Sequence, residues 1–334
     1  MLVLGLETSC DDTGAGLVED GRLIAHVVAS QEIHVEYGGV VPELASRAHI
    51  TLLPRMVADV LARAGRRLEE VDAVAATIGP GLVGSLLVGL EFAKGFAQAR
   101  GIPFVGVNHV EAHLLSPGLE HELPLPLLGM VASGGHTEIY HLRAPGVVAR
   151  LGSTRDDAAG EAFDKVGKLL GLPYPGGPHV DRLAREGNAS AFAFPVARLG
   201  NDNFDLSFSG LKTAVKLAVE REPQPLSEQR IRDVAASTEK AVVTALIDRL
   251  SLALEKHPSR ALGLAGGCAC NTLLRREAER LGRERGIPAL VPSPILCRDN
   301  GAMIAYAGWQ TLVRGLRTPL TVSAIPNLDA FPTA

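Results

Sequence analysis

LVLGLETSCDDTGAGLVEDGRLIAHVVAS (residues 2–30) and LLGMVASGGHTEIYHLRAPGVVARLG (residues 127–152) follow one plan. Each opens with an apolar strand, Leu2–Glu7 or Leu127–Ala132, that runs into a loop of small and polar residues, Thr8–Thr13 or Ser133–Thr137. A second strand follows, Gly14–Glu19 or Glu138–Arg143, then a tight turn, Asp20-Gly21 or Ala144-Pro145-Gly146, and a third strand, Arg22–Ser30 or Val147–Gly152. Asp-Gly between two strand patterns is a strong hairpin signal.

After each triplet, helix and strand patterns alternate. Beyond Pro42, Leu53, Met56, Val57, Val60, Leu61 and Ala64 form one helical stripe. Val71–Ile78 reads as a buried strand, GPGLVGS (79–85) opens a helix to about Arg100, and Pro103–Val107 is a further strand. In the second half, about 156–226 is rich in Gly, Pro and Asn and is expected to be an irregular insertion. Ser227–His257 is a long helix with Ile231, Val234, Ala235, Val242, Leu246 and Leu250 apolar. Arg260–Ala265 is a strand, Asn271–Arg285 a helix, and a last helix from about Gly301 to Val313 returns to the first half. At 334 residues the chain is long enough for two domains. The expected division is 1–107 with 301–334 against 108–300. A duplicated βββ unit continued as βββαβα resembles the α/β actin-like ATPase and sugar-kinase architecture, in which two ribonuclease-H-like lobes close on a nucleotide.

A net charge of -4 gives no general nucleic-acid footprint, so any RNA surface must be local or supplied by a partner. The cysteines Cys10, Cys268, Cys270 and Cys297 form neither a C-x-x-C pair nor a disulfide framework. No signal peptide pattern and no membrane-length apolar run is seen, so a cytoplasmic protein is expected.

NHVEAHLLS (108–116) carries two histidines four residues apart in a segment that reads as a helix start. Residues i and i+4 share one helix face, so His109 and His113 can close on one metal ion. A zinc protease would need Glu directly after the first His. Val110 stands there, and Glu111 lies about 100° further around the helix, which argues against a peptidase. Asp299, in CRDNGAM, is either the N-cap of the following helix or a third ligand. Two imidazoles and one carboxylate with open positions suit ferrous iron or catalytic zinc.

Four loops join small residues to strand ends, where α/β sheets bind ligands: Thr8–Thr13, Gly79–Ser85, Ser133–Thr137 and Gly266–Asn271. The Walker and dinucleotide glycine patterns are both missing. Asp164 either pairs with Lys168 one turn on or, with Asp181, accepts hydrogen bonds from ligand hydroxyls or an amine.

LGLETSCDDT (4–13), GPGLVGSLLVG (79–89), NHVEAHLLS, SGGHTEI (133–139), the stretch from GEAFDKVGKLLGL to PGGP (160–178), FDLSFSGLKTAV (204–215), GGCACN (266–271) and CRDNGAMIA (297–305) follow in order. Together they resemble the TsaD family, tRNA N6-adenosine threonylcarbamoyltransferases formerly grouped as glycoproteases. The resemblance implies transfer of a threonylcarbamoyl group from threonylcarbamoyl-adenylate to N6 of adenosine 37 in tRNAs reading ANN codons, releasing AMP. It implies a divalent metal, Fe(2+) or else Zn(2+), on His109, His113 and Asp299. Adenylate binding falls to Val131, Ala132, Ser133, Gly134, Gly135, Asp164, Gly177, Asp181 and Asn271. The donor is an activated anhydride, so no protein nucleophile is expected, and Cys268 reads as a small buried hydrophobe. TsaB as a pseudo-dimer partner docking on first-lobe helices and TsaE as an ATPase are further implications. Arg47, Arg55 and Lys212 are candidates for part of a tRNA surface. The rival classes are an actin-like phosphotransferase or chaperone ATPase, which has no need of the metal triad, and the metallopeptidase.

Overall fold

The computed structural model describes residues 1–329 apart from Gly38, Pro145, Arg198, Asn201 and Asp202, so the expected turn at Ala144-Pro145-Gly146 lies partly outside the described residues. The first half contains β1 (Leu2–Glu7), β2 (Asp12–Glu19), β3 (Arg22–Ser30), α1 (Ile33–Tyr37), α2 (Pro42–Ala64), β4 (Ala73–Gly79), α3 (Val83–Arg100), β5 (Phe104–Asn108) and α4 (His109–Leu115). The second contains β6 (Leu127–Ala132), β7 (Thr137–Ala144), β8 (Val147–Ser153), α5 (Ala159–Leu169), α6 (Gly176–Ala184), α7 (Ser209–Arg221), α8 (Glu228–Lys256), β9 (Ala261–Ala265), α9 (Thr272–Arg285), β10 (Ala289–Leu290) and α10 (Pro294–Cys297). Among the described residues, α11 (Gly301–Val313) is the last element.

The chain forms two compact units, Met1–Glu122 together with the segment from Arg298, and Leu123–Cys297. The expected division lay after Val107 and before Gly301. Here α4 and residues 298–300 belong with the first unit, because α4 packs on α11. That shift puts all three proposed metal ligands in one unit.

In the first unit the sheet order is β3-β2-β1-β4-β5, with β1 antiparallel to β2 and parallel to β4. The second repeats it as β8-β7-β6-β9-β10, with β6 antiparallel to β7 and parallel to β9. The duplication legible in residues 2–30 and 127–152 is therefore a structural one. All six residues of β1 are buried, as a central strand covered on both faces requires. Alternation splits its side chains. Leu4 and Leu6 join Leu53, Val57 and Leu90 in a core under α2 and α3. Burying each such leucine contributes about 2 kcal/mol.

On the other face, α11 lies so close to β1 and β2 that only glycine fits. A Cβ on Gly5 would stand 2.2 Å from the Ala305 nitrogen, and one on Gly16 2.3 Å from that of Ala302. The β2–β3 hairpin turns at Asp20 and Gly21, with φ of 49° and 81°, the two positive angles that an Asp-Gly turn of this kind needs.

The second unit's core runs from Leu128, Met130 and Ile139 to Val234, Val242 and Leu246 of α8. Residues 156–226 are a correction to the expected irregular insertion, since they hold three helices, α5, α6 and α7. Their glycines and prolines sit mainly at helix starts and in the connections. Gly176 is the clearest case, where α6 approaches α5 and a Cβ would meet the Phe163 carbonyl at 2.9 Å. Among the described residues no helix is long and apolar enough to cross a membrane.

Candidate metal centre and nucleotide loops

β5 ends at Asn108, whose side-chain oxygen accepts the Val110 and Glu111 amides at 2.9 and 3.1 Å and so starts α4 at His109. One turn later comes His113. The two rings meet edge to face at 4.7 Å between centroids. Asp299 arrives from the chain just before α11. It does not cap that helix: Asn300 does, accepting the Met303 amide at 2.9 Å. Asp299 Oδ1 instead lies 3.0 Å from His113 Nε2 and 3.6 Å from His109 Nε2. Candidate ligand atoms of the three side chains fall within 4.8 Å of one another, and among the described residues no other His/Cys/Asp/Glu group does this.

A carboxylate stands behind the first histidine. Glu7, at the end of β1 and fully buried, accepts from Thr77 Oγ1 at 2.7 Å, from the Ser9 amide at 2.5 Å, and from His109 Nδ1 at 3.0 Å. Ser9 Oγ is 3.2 Å from the same nitrogen. Burial opposes a charge on Glu7, but the positive His109 and the hydrogen bonds win and hold its carboxyl below the ordinary range. Burial likewise opposes a charge on His109, yet Asp299 on one side and Glu7 on the other push it up to about 9. Two carboxylates around two imidazoles thus make a pocket that favours positive charge. A bound cation would displace the Nε2 proton: with Nδ1–H still given to Glu7, His109 Nε2 would then offer its lone pair, as a ligating imidazole requires. This donor set fits a divalent transition metal. His113 Nδ1 is buried without a hydrogen-bond partner.

The neighbouring loops of the first unit are committed to each other. Leu82 donates its amide to the Ser9 carbonyl at 2.8 Å, and Thr8 Oγ1 donates to the Ser85 carbonyl at 2.8 Å. A Cβ on Gly81 would collide with the Ser9 carbonyl at 2.6 Å, so close backbone packing explains that glycine without a ligand. Asp12 is met by Arg298 at 3.2 Å, while burial and Asp299 push it up to about 6.

In the second unit the Ser133–Thr137 loop differs. Gly134 and Gly135 are exposed, with open space where a Cβ would be. Ser133 closes the loop through its amide to the His136 carbonyl at 2.7 Å, and Val131 and Ala132 are buried in β6. Asp164 accepts the Gly176 and Gly177 amides at 2.7 and 3.4 Å, which ties α5 to the start of α6 in place of the Lys168 pairing considered above. Asp181 accepts the Thr272 amide at 2.8 Å and its hydroxyl at 3.1 Å, and pairs with Arg185 at 2.5 Å. Asn271 caps α9 through Leu274 at 2.9 Å. Asp181 and Asn271 therefore converge on the first turn of α9. Cys268 is buried, its thiol pushed up to about 12 chiefly by burial, as a small hydrophobe would be. Arg47 pairs with Glu43 on an exposed helix face, and Arg55 and Lys212 are exposed.

Sequence reasoning missed Glu7 as the partner of His109, Asn300 as the cap beside Asp299, and Glu239, which accepts from Asn271 Nδ2 at 2.6 Å. Glu239 did leave a signal: it falls on the helical stripe of Ala235, Val242 and Leu246.

A family model described as TsaD, tRNA N6-adenosine threonylcarbamoyltransferase, matches residues 22–306. A tRNA N6-adenosine threonylcarbamoyltransferase of Desulfovibrio desulfuricans is 49% identical, with 99% of this chain and 96% of the relative covered. Among solved structures, T. kodakarensis HypF superposes with a TM-score of 0.64 at 16% identity, covering 94% of this chain and 48% of that one. Component A of the Acidaminococcus fermentans (R)-2-hydroxyglutaryl-CoA dehydratase does so with 0.53 at 15%, covering 92% and 99%. These two likenesses concern the fold, which is the actin-like one.

Proposed function

The chain belongs to the TsaD family of tRNA N6-adenosine threonylcarbamoyltransferases, and we propose that it places threonylcarbamoyl on N6 of adenosine 37 in tRNAs reading ANN codons. The observation that carries the proposal is the convergence of His109, His113 and Asp299. These three would hold one divalent metal, with Fe(2+) favoured by the two-His, one-carboxylate set and Zn(2+) the alternative. A metal held there supplies Lewis acidity toward the carbamoyl carbonyl of threonylcarbamoyl-adenylate.

The chain's own groups do the rest. Glu7 keeps the Nδ1 proton of His109 and fixes that ring. In the loop from Ser133 to Gly135, between Val131–Ala132 and His136, the exposed Gly134 and Gly135 take the donor phosphate on their N–H groups, while the Ser133 amide holds the loop closed on His136. Asp164, Gly177, Asp181 and Asn271 meet the ribose and adenine. AMP leaves as a stabilised phosphate, so no side-chain nucleophile is needed. Glu111 sits one residue too late for H-E-x-x-H, which disfavours peptidase chemistry.

The protein works in the cytoplasm with TsaB as pseudo-dimer partner and TsaE as ATPase. A net charge of -4 leaves it poorly equipped to hold tRNA by phosphate contacts alone. Local basic residues such as Arg47, Arg55 and Lys212 contribute only part of that surface. The test is to give the purified chain threonylcarbamoyl-adenylate and tRNA, with and without TsaB and TsaE. Modified tRNA should accumulate over many turnovers only with the full set. Equal repeated turnover by the chain alone would refute the partner dependence, and no modified tRNA with the full set would refute the donor assignment.

A further inference from the structure

Glu239 lies in the middle of α8 and is only 6% exposed. A carboxyl in such a position must be satisfied by partners or kept neutral. It has two neighbours. Asn271 Nδ2 donates to its Oε1 at 2.6 Å, and the Asp181 carboxyl, which meets the same first turn of α9 through Thr272, is its other polar neighbour. Two neighbouring carboxyl groups in a buried site repel when both are ionised, so one of them keeps its proton.

The other contacts decide which one carries it. Asp181 already accepts from Thr272 N, Thr272 Oγ1 and Arg185, the pattern of an ionised carboxylate. The proton therefore belongs on Glu239, which accepts from Asn271 and has its second oxygen to offer as a donor toward Asp181. Because Asn271 Oδ1 is occupied by the Leu274 amide, the Asn271 side chain cannot flip without losing both bonds.

We propose that Glu239 is a positioning residue for the nucleoside end of the donor: protonated and wedged between Asp181 and Asn271, it fixes both side chains in the orientation that meets the adenylate. This rests on the reading of Asp181 and Asn271 as nucleoside-contacting residues. The charged groups facing Glu239 are Asp181 and, more weakly, Arg185. Burial first, and Asp181 with it, push Glu239 up to about 7, against the opposing pull of Asn271 and Arg185. Above that pH two carboxylates face each other and the wedge loosens.

The experiment titrates AMP into the full-length wild type, Glu239→Gln, Glu239→Ala and Asn271→Ala at about pH 6 and about pH 8.5. Wild-type AMP affinity should fall about tenfold at the higher pH. Glu239→Gln keeps a donor toward Asp181 and an acceptor for Asn271, so it should bind at the wild-type low-pH level at both. Glu239→Ala should bind weakly at both. Thermal melts over the same range report the proton independently of AMP. The folded state holds that proton more tightly than the unfolded chain, so wild type should lose stability relative to Glu239→Gln as pH rises from about 4.5 to about 7. Wild-type pH dependence retained in Glu239→Gln, or parallel melting curves, would overturn the wedge. Unaltered AMP affinity in Asn271→Ala would instead overturn the nucleoside reading and the positioning role with it, while the melts still decide the Glu239 proton.

Discussion

Replacing His113 by alanine is expected to abolish metal binding at the proposed site and to lower threonylcarbamoyl transfer by at least about 10²-fold, with the fold preserved. The side chain is buried and its Nε2 is one of three donor atoms that converge, so alanine leaves one imidazole and one carboxylate, too few to retain an ion against a chelator. The cavity it leaves costs about 2 kcal/mol, which a domain of ordinary stability survives. His109→Ala should behave alike. Glu7→Gln, which touches no ion but weakens the hold on the His109 ring, should weaken metal affinity by about tenfold and leave stoichiometry intact at high metal. Metal content per chain after dialysis, with circular dichroism as the fold control, checks all three. Full stoichiometry in both histidine variants would remove the site.

Gly16→Val should be among the most damaging single changes to the first unit. Its Cβ would stand 2.3 Å from the Ala302 nitrogen and 2.5 Å from the Gly301 carbonyl carbon, and both are backbone atoms at the start of a helix. No side chain can rotate away, so α11 must retreat from β1 and β2, and with it the segment that carries Asp299. Overpacking alone costs about 3 kcal/mol. A melting temperature lowered by about 10 °C, or loss of soluble protein, is the expected outcome. Gly95→Ala is the control. It lies in α3 with nothing within 4 Å of a new Cβ, and it should gain up to about 1 kcal/mol from helix propensity. Equal melting of Gly16→Val and wild type would show that the close approach of α11 is not needed.

The two triplets of strands were readable because apolar runs, an Asp-Gly turn and small polar loops are local signals, and β1–β3 and β6–β8 follow them within a few residues. The i, i+4 histidines were readable for the same reason: helix periodicity alone puts them on one face. What stayed hidden depended on tertiary placement. Composition marked 156–226 as irregular because its glycines allow α6 to touch α5, a packing requirement that looks like loop content in one dimension. Asp299 and Asn300 are adjacent and both suit an N-cap, so sequence could not say which one the helix uses and which one turns to the histidines. Asp164 has a local partner at Lys168 by spacing, yet it bonds to the backbone of the next helix, which spacing cannot reveal. Glu7 and Glu239 looked like the end of a strand and a break in a stripe. Their partners lie about a hundred and about thirty residues away in sequence.

The central claim, that His109, His113 and Asp299 would hold a metal whose Lewis acidity serves transfer to tRNA, is tested most directly by a single-turnover assay. Labelled threonylcarbamoyl-adenylate and tRNA are mixed with anaerobically purified chain and its partners, before metal removal, after chelation, and after reloading with Fe(2+) or Zn(2+). The account predicts that label on N6 of adenosine 37 falls at least about 10²-fold on chelation and returns on reloading, and that His113→Ala does not recover. Transfer at the untreated rate by the chelated wild type would contradict it.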